Sequence, residues 1–135
     1  MLLYNSKYTE IHYHEKEKLV EAVWHGFAPS MAYRKSMDTY IEVIRGYEVQ
    51  RWLWDYREAG IVRPTDLEWA ATVWAPVFMP LAARLKKVAK VNATDMFNQV
   101  SFDSVRKSMG VDNSPFPFRE FDDYREARAW VLSEE

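Results

Sequence analysis

The sequence contains no cysteine. Disulfides, a cysteine nucleophile and thiolate metal sites are thereby excluded. It also lacks an excess of either charge. Lysine and arginine total 18 against 20 aspartates and glutamates, a net charge of −2, so composition gives no electrostatic reason to expect a nucleic-acid partner. Long hydrophobic runs are missing too. The longest apolar stretch, Trp69 to Ala83, is interrupted by Thr72, Pro76 and Pro80 and falls short of the roughly 20 residues that span a bilayer. Met1 to Asn5 is too short an apolar run for a signal peptide. There is no GxSxG, no HExxH and no Gly-rich phosphate loop. These absences lead to the expectation of a soluble, cytoplasmic protein that is not an enzyme and holds no cofactor.

What is present has the size of one domain: 135 residues, read as a single unit over 1–135. Aromatic residues make up 16% of it, with six tryptophans and eight tyrosines. Such bulk fills a core, or lines an interface or a ligand pocket.

The period of the apolar pattern switches between two and 3.6, as in interleaved strands and helices. Glu10–His14 and Leu19–Trp24 alternate around the charged tetrad Glu15-Lys16-Glu17-Lys18 and predict a hairpin. Pairing His14 with Leu19 puts Tyr13 opposite Val20 and Ile11 opposite Ala22. These four share one face with Trp24, while His12, His14, Glu21 and His25 share the other. Ser30 is a candidate cap for a helix through Tyr33, Met37, Tyr40, Ile41 and Ile44 that stops near Gly46. A strand follows over Gln50–Tyr56.

Thr65 and Glu68 form a capping-box pattern ahead of a helix from Asp66 to about Arg84, which Pro76 and Pro80 should kink or split. Lys87–Val91 reads as a strand. Asn92, Thr94 and Asp95 open a helical segment with Met96, Phe97, Val100, Val105 and Met109 as its stripe. A loop spans Gly110–Pro117, and Phe118–Phe121 is the last strand. Asp122 and Asp123 start a closing helix anchored by Tyr124, Ala127, Trp130 and Val131, with Trp130 as its largest anchor. The expected fold is an α/β single domain of order ββαβαβαβα, a mixed sheet with helices packed on it.

Four strings resemble the STAS-like fold of anti-sigma-factor antagonists. They are Val23-Trp24-His25-Gly26-Phe27, Val77-Phe78-Met79-Pro80-Leu81, Asp95-Met96-Phe97-Asn98-Gln99-Val100-Ser101, and the segment from Phe121 to Val131. Within that fold they are similar to a bacterial subgroup related to the sporulation anti-sigma antagonist, small proteins mostly without assigned function. The resemblance implies a regulatory or protein-interaction module. Signalling members carry a phosphorylatable serine in an Asp-Ser-Ser-Gly-like turn. Here the corresponding segment, Asp55-Tyr56-Arg57-Glu58-Ala59-Gly60, has no serine, and Thr65 is the only hydroxyl near the next helix start.

Three constellations stand out. In open α/β sheets ligands lie beyond the carboxyl ends of the strands, where Asp55, Tyr56, Arg57, Thr65, Asn92 and Thr94 would gather as a polar ligand site. His12-x-His14 with Glu21, and with His25 as a further member on the same face, has the residue types of a zinc or copper site. The commoner reading is a His12–Glu21 cross-strand pair, and no metal is assigned. The helix over Trp69–Leu85 is apolar nearly all round, so Trp69, Val73, Trp74, Val77 and Phe78 are expected at an interface, most simply a homodimer. The alternative is a small apolar ligand or lipid held in an aromatic pocket beside that helix.

Overall fold

Period-two alternation makes the first half of the sheet. In the computed structural model, which describes residues 1–96, 99–100, 103 and 114–134, β2 (Thr9–His14) and β3 (Leu19–Gly26) pair antiparallel. Their register is the expected one: Ile11 opposite Ala22, Tyr13 opposite Val20, His14 opposite Leu19. A short β1 (Leu2–Asn5) adds to β2 at the outer edge, with a register shift between Leu2 and Tyr4. The sequence reading had no strand there, because Leu-Leu-Tyr-Asn shows no alternation. It becomes a strand through its hydrogen bonds to β2.

The second half is parallel. β4 (Arg51–Ala59), β5 (Lys87–Val91) and β6 (Phe118–Phe121) follow β3 in sequence order across the sheet. The described residues thus form a six-stranded mixed sheet, and both final strands have the bounds the sequence predicts. The helical segment expected to open at Asn92, with its stripe of Phe97, Val105 and Met109, lies mostly outside the described residues, as does most of the loop from Gly110. Met96 and Val100 are exposed. Among the described residues, no helix is long and apolar enough to cross a membrane.

Helices cover the two faces of the sheet unequally. On one face lie α1 (Ser30–Gly46) and a continuous helical path of α2 (Pro64–Trp69), a π-helical turn (Ala70–Trp74) and α3 (Ala75–Ala82). Between them and the sheet, Tyr40, Trp52, Trp54, Trp74 and Phe78 touch ring to ring within 4.5–6.5 Å. Trp24 Nε1 donates to the Tyr40 hydroxyl at 2.7 Å, and Trp74 Nε1 to the Met37 carbonyl at 2.7 Å. The indole donors of Trp24 and Trp74 are thereby satisfied, whereas the Nε1 groups of Trp52 and Trp54 are buried without a hydrogen-bond partner among the described residues.

The long helix stays helical in backbone through Trp69, Ala70, Trp74 and Ala75, and the interruption of its regular α-helix is a π turn that ends just before Pro76. The inward residues Asp66, Ala70, Trp74, Phe78 and Ala82 recur every four residues. In a regular α-helix such a row rotates by about 40° per step. The π turn, in which the Ala75 N–H bonds back to the Ala70 carbonyl, takes back part of that rotation and keeps the row facing the core.

Among the described residues, the other face carries only α4 (Tyr124–Leu132), laid over β4, β5 and β6. Its core is small: Leu19, Leu53, Ala89, Val91, Ala127 and Val131. Asp123 caps α4 by accepting from the Glu126 N–H at 2.9 Å, as the acidic start predicts. Trp130 is half-buried rather than a core anchor. Its ring lies 5.8 Å from that of Phe121 and beneath the Lys87 ammonium.

Candidate functional site

The connections after β3, β4, β5 and β6 gather at the carboxyl end of the parallel strands. Two glycines set its shape. Gly26 has φ of 65°, and the Gly60 N–H donates to the Gly26 carbonyl at 2.8 Å. A Cβ on Gly60 would sit 3.0 Å from Gly26 backbone atoms, so only glycine lets the two loops meet this closely.

Of the polar residues expected here, the structure joins Asp55, Arg57 and Thr94, and places Asn92 at the same end against Asp122. Between the β3 pairings of Asp55 and Glu58 the register slips, and this bulge re-aims Arg57. Arg57 then grips the buried Asp55 carboxylate with three donors: its backbone N–H at 3.1 Å, Nε at 2.9 Å and Nη2 at 2.6 Å. That hydrogen bonding, ahead of burial, holds the Arg57 pKa above its usual value. Thr94 Oγ1 donates to the Arg57 carbonyl at 3.0 Å, and Asn92 Nδ2 to Asp122 at 2.9 Å.

The remaining two stand apart. Tyr56 points to the aromatic face, against Trp24 and the Lys90 ammonium, and burial pushes its hydroxyl pKa well up. Thr65 is exposed in the first turn of α2, on the aromatic side of the sheet. It is not the cap, since α2 begins at Pro64 with no side-chain cap. Ser30 does not cap α1 either. Its hydroxyl donates to Asp66 at 2.9 Å, beside Arg34 Nε at 3.1 Å, so the buried Asp66 pins the two helix starts together.

The Arg57 guanidinium stacks 4.7 Å from the ring centre of Tyr124, whose hydroxyl donates to Glu21. Burial, reinforced by that hydrogen bond, raises the Tyr124 pKa to about 12. Glu21 also meets His14 Nε2 at 2.6 Å. The His12–Glu21 pair expected from the hairpin does not form, although the two residues lie opposite each other. His12 bonds to Glu10 at 3.2 Å, and His25 bonds to Glu10 at 2.8 Å. These contacts, the one to His25 foremost, depress the Glu10 pKa. Among the described residues, no group of three or more His, Asp or Glu is placed to hold a metal ion.

The opposite end of α4 is held by two cations the sequence reading passed over. Buried Arg51 donates through Nη1 to the carbonyls of Val131 at 2.5 Å and Ser133 at 3.0 Å. Lys87 Nζ donates to those of Trp130 at 3.1 Å and Ser133 at 3.0 Å. Both neutralise the negative end of the helix.

The expected interface residues divide. Trp74 and Phe78 are buried in the aromatic core, so they are not available to a surface contact. Trp69 is half-buried beneath the Arg34 guanidinium at 5.2 Å. Val73 and Val77 are 54% and 40% exposed. The sequence reading missed a second apolar group at the loop rim: Phe27, Met31 and Ile61, 48%, 87% and 42% exposed. An apolar residue directly after each loop glycine, Gly26-Phe27 and Gly60-Ile61, was the available signal.

No protein-family model matches the sequence, and no functionally curated protein is similar to it. Among solved structures, it resembles the crystal structure of an uncharacterized DUF3478-family protein from Shewanella loihica PV-4, described as having a SpoIIAA-like fold. The likeness has a TM-score of 0.55 at 14% identity and covers 96% of this chain and 98% of that one. At that identity it concerns architecture: this chain has a SpoIIAA-like, and hence STAS-like, fold.

Proposed function

We propose that the protein is a non-enzymatic interaction module of the STAS-like, regulatory kind, and that it self-associates through the outer face of its long helix. One observation carries the reading. From Trp69 to Ala83 the chain has no charged residue, and Val73, Pro76, Val77 and Pro80 face outward. A twofold contact sets a surface against its own copy. An uncharged face meets its copy without placing like charges opposite each other, which a charged face would do at a cost of several kcal/mol. At the strand ends, Asp55, Arg57, Tyr124 and Glu21 satisfy one another, and this supports a binding role over a catalytic one.

Light scattering across a dilution series tests the proposal. We expect a dimer that Val77→Asp converts to monomer with little change in melting temperature, because Val77 is 40% exposed and not a buried core residue. A wild-type protein that stays monomeric throughout the micromolar range overturns it.

A further inference from the structure

The loop rim differs from the helix face in one respect: it is apolar and positively charged together. Phe27, Met31 and Ile61 are exposed there. The guanidinium of Arg63 lies 4.7 Å from the centre of the Phe27 ring. Lys35 follows Met31 by four residues and lies on the same side of α1. Among the described residues, neither Arg63 nor Lys35 meets a carboxylate. Arg34, by contrast, is neutralised by Asp66. The result is three large apolar side chains beside two cations with no internal counter-charge.

A second copy does not suit this surface, since a twofold contact would set two patches carrying Arg63 and Lys35 against each other. A partner strand does not suit it either: the rim is built of loops and a helix start, and it presents no free strand edge. The occupant must therefore satisfy its own backbone and offer apolar side chains flanked by carboxylates. We infer that the rim of Phe27, Met31, Ile61 and Arg63 docks an acidic amphipathic helix of a partner protein. An anionic lipid surface has the same charge but is broad. It would also meet Glu58, which is largely exposed at the same end, and Glu68 in α2.

The test uses two synthetic amphipathic helices with one apolar face and either glutamates or lysines flanking it, titrated against the isotope-labelled full chain. The glutamate helix should shift the amide resonances of Phe27, Met31, Ile61 and Arg63, and the lysine helix should not. Arg63→Glu should weaken the binding about tenfold and Met31→Asp comparably. Both positions are exposed, and unchanged dispersion elsewhere in the spectrum confirms folding. Equal binding of the two helices, no binding of either, or shifts that map away from the rim overturns the inference. So does binding to phosphatidylserine vesicles that the glutamate helix does not compete away.

Discussion

The two faces of the sheet are held by different means. The first face buries Trp24, Tyr40, Trp52, Trp54, Trp74 and Phe78 in one continuous aromatic cluster under two helices. Among the described residues, the second buries six small or medium aliphatic residues under one nine-residue helix. Where the second face lacks bulk it uses charge. Arg51 and Lys87 hold the end of α4, Arg57 and Glu21 hold its start through Tyr124, and Arg128 at its middle pairs with Glu17 at 3.1 Å. Hydrophobic burial scales with area and is indifferent to direction. Charge-assisted hydrogen bonds are directional and strong where buried. A thin layer can therefore be seated accurately without a large core, but its strength rests on a few atoms.

The largest effect should come from the aromatic face. Phe78→Ala or Trp52→Ala removes a fully buried ring and should cost about 3–5 kcal/mol, read as a large fall in the urea midpoint. If either costs less than removing an α4 strap, the contrast between the faces is wrong.

Next comes Arg51→Met, which fills similar space but strips the donors from Val131 and Ser133. A buried charge-assisted bond is worth about 1.5–3 kcal/mol. Hydrogen exchange should accelerate in α4 and not in α1. Uniform acceleration would mean that α4 does not open independently.

Trp130→Ala should cost less, about 1–2 kcal/mol, because the ring is only half-buried and lies against Lys87 and Phe121. A loss as great as that of Phe78→Ala would restore Trp130 as a core anchor.

The smallest effect is alkaline. Tyr124 titrates near 10 when unfolded and at about 12 when folded. Between those values the native state holds a proton that the unfolded state has lost. The contribution is therefore complete below pH 10 and disappears as pH rises toward 12. Exchange in α4 should quicken over that window before α1 is affected, since burial pushes Tyr33 and Tyr40 higher still. Tyr124→Phe should remove the step. A step that survives the substitution would assign it elsewhere.

How much was legible follows the same division. The hairpin register, the bounds of β5 and β6, α1 and the capped start of α4 are written in residues two to four apart, because pleat and helix repeat locally. That Asp55, Arg57, Asn92 and Thr94 lie at the carboxyl ends of the strands was legible because strand ends can be read from turn residues. Tyr56 was misplaced with them, since one step along a strand reverses the face.

Tertiary structure alone decided the rest. β1 exists through pairing with β2. Trp74 and Phe78 point inward because a π turn adjusts the phase of a helix that is apolar on both sides. Asp66, Arg51 and Lys87 look like solvent residues in sequence. Their burial depends on partners 32 to 83 residues away, and no local period records which distant carbonyl or guanidinium will arrive to offset the loss of water.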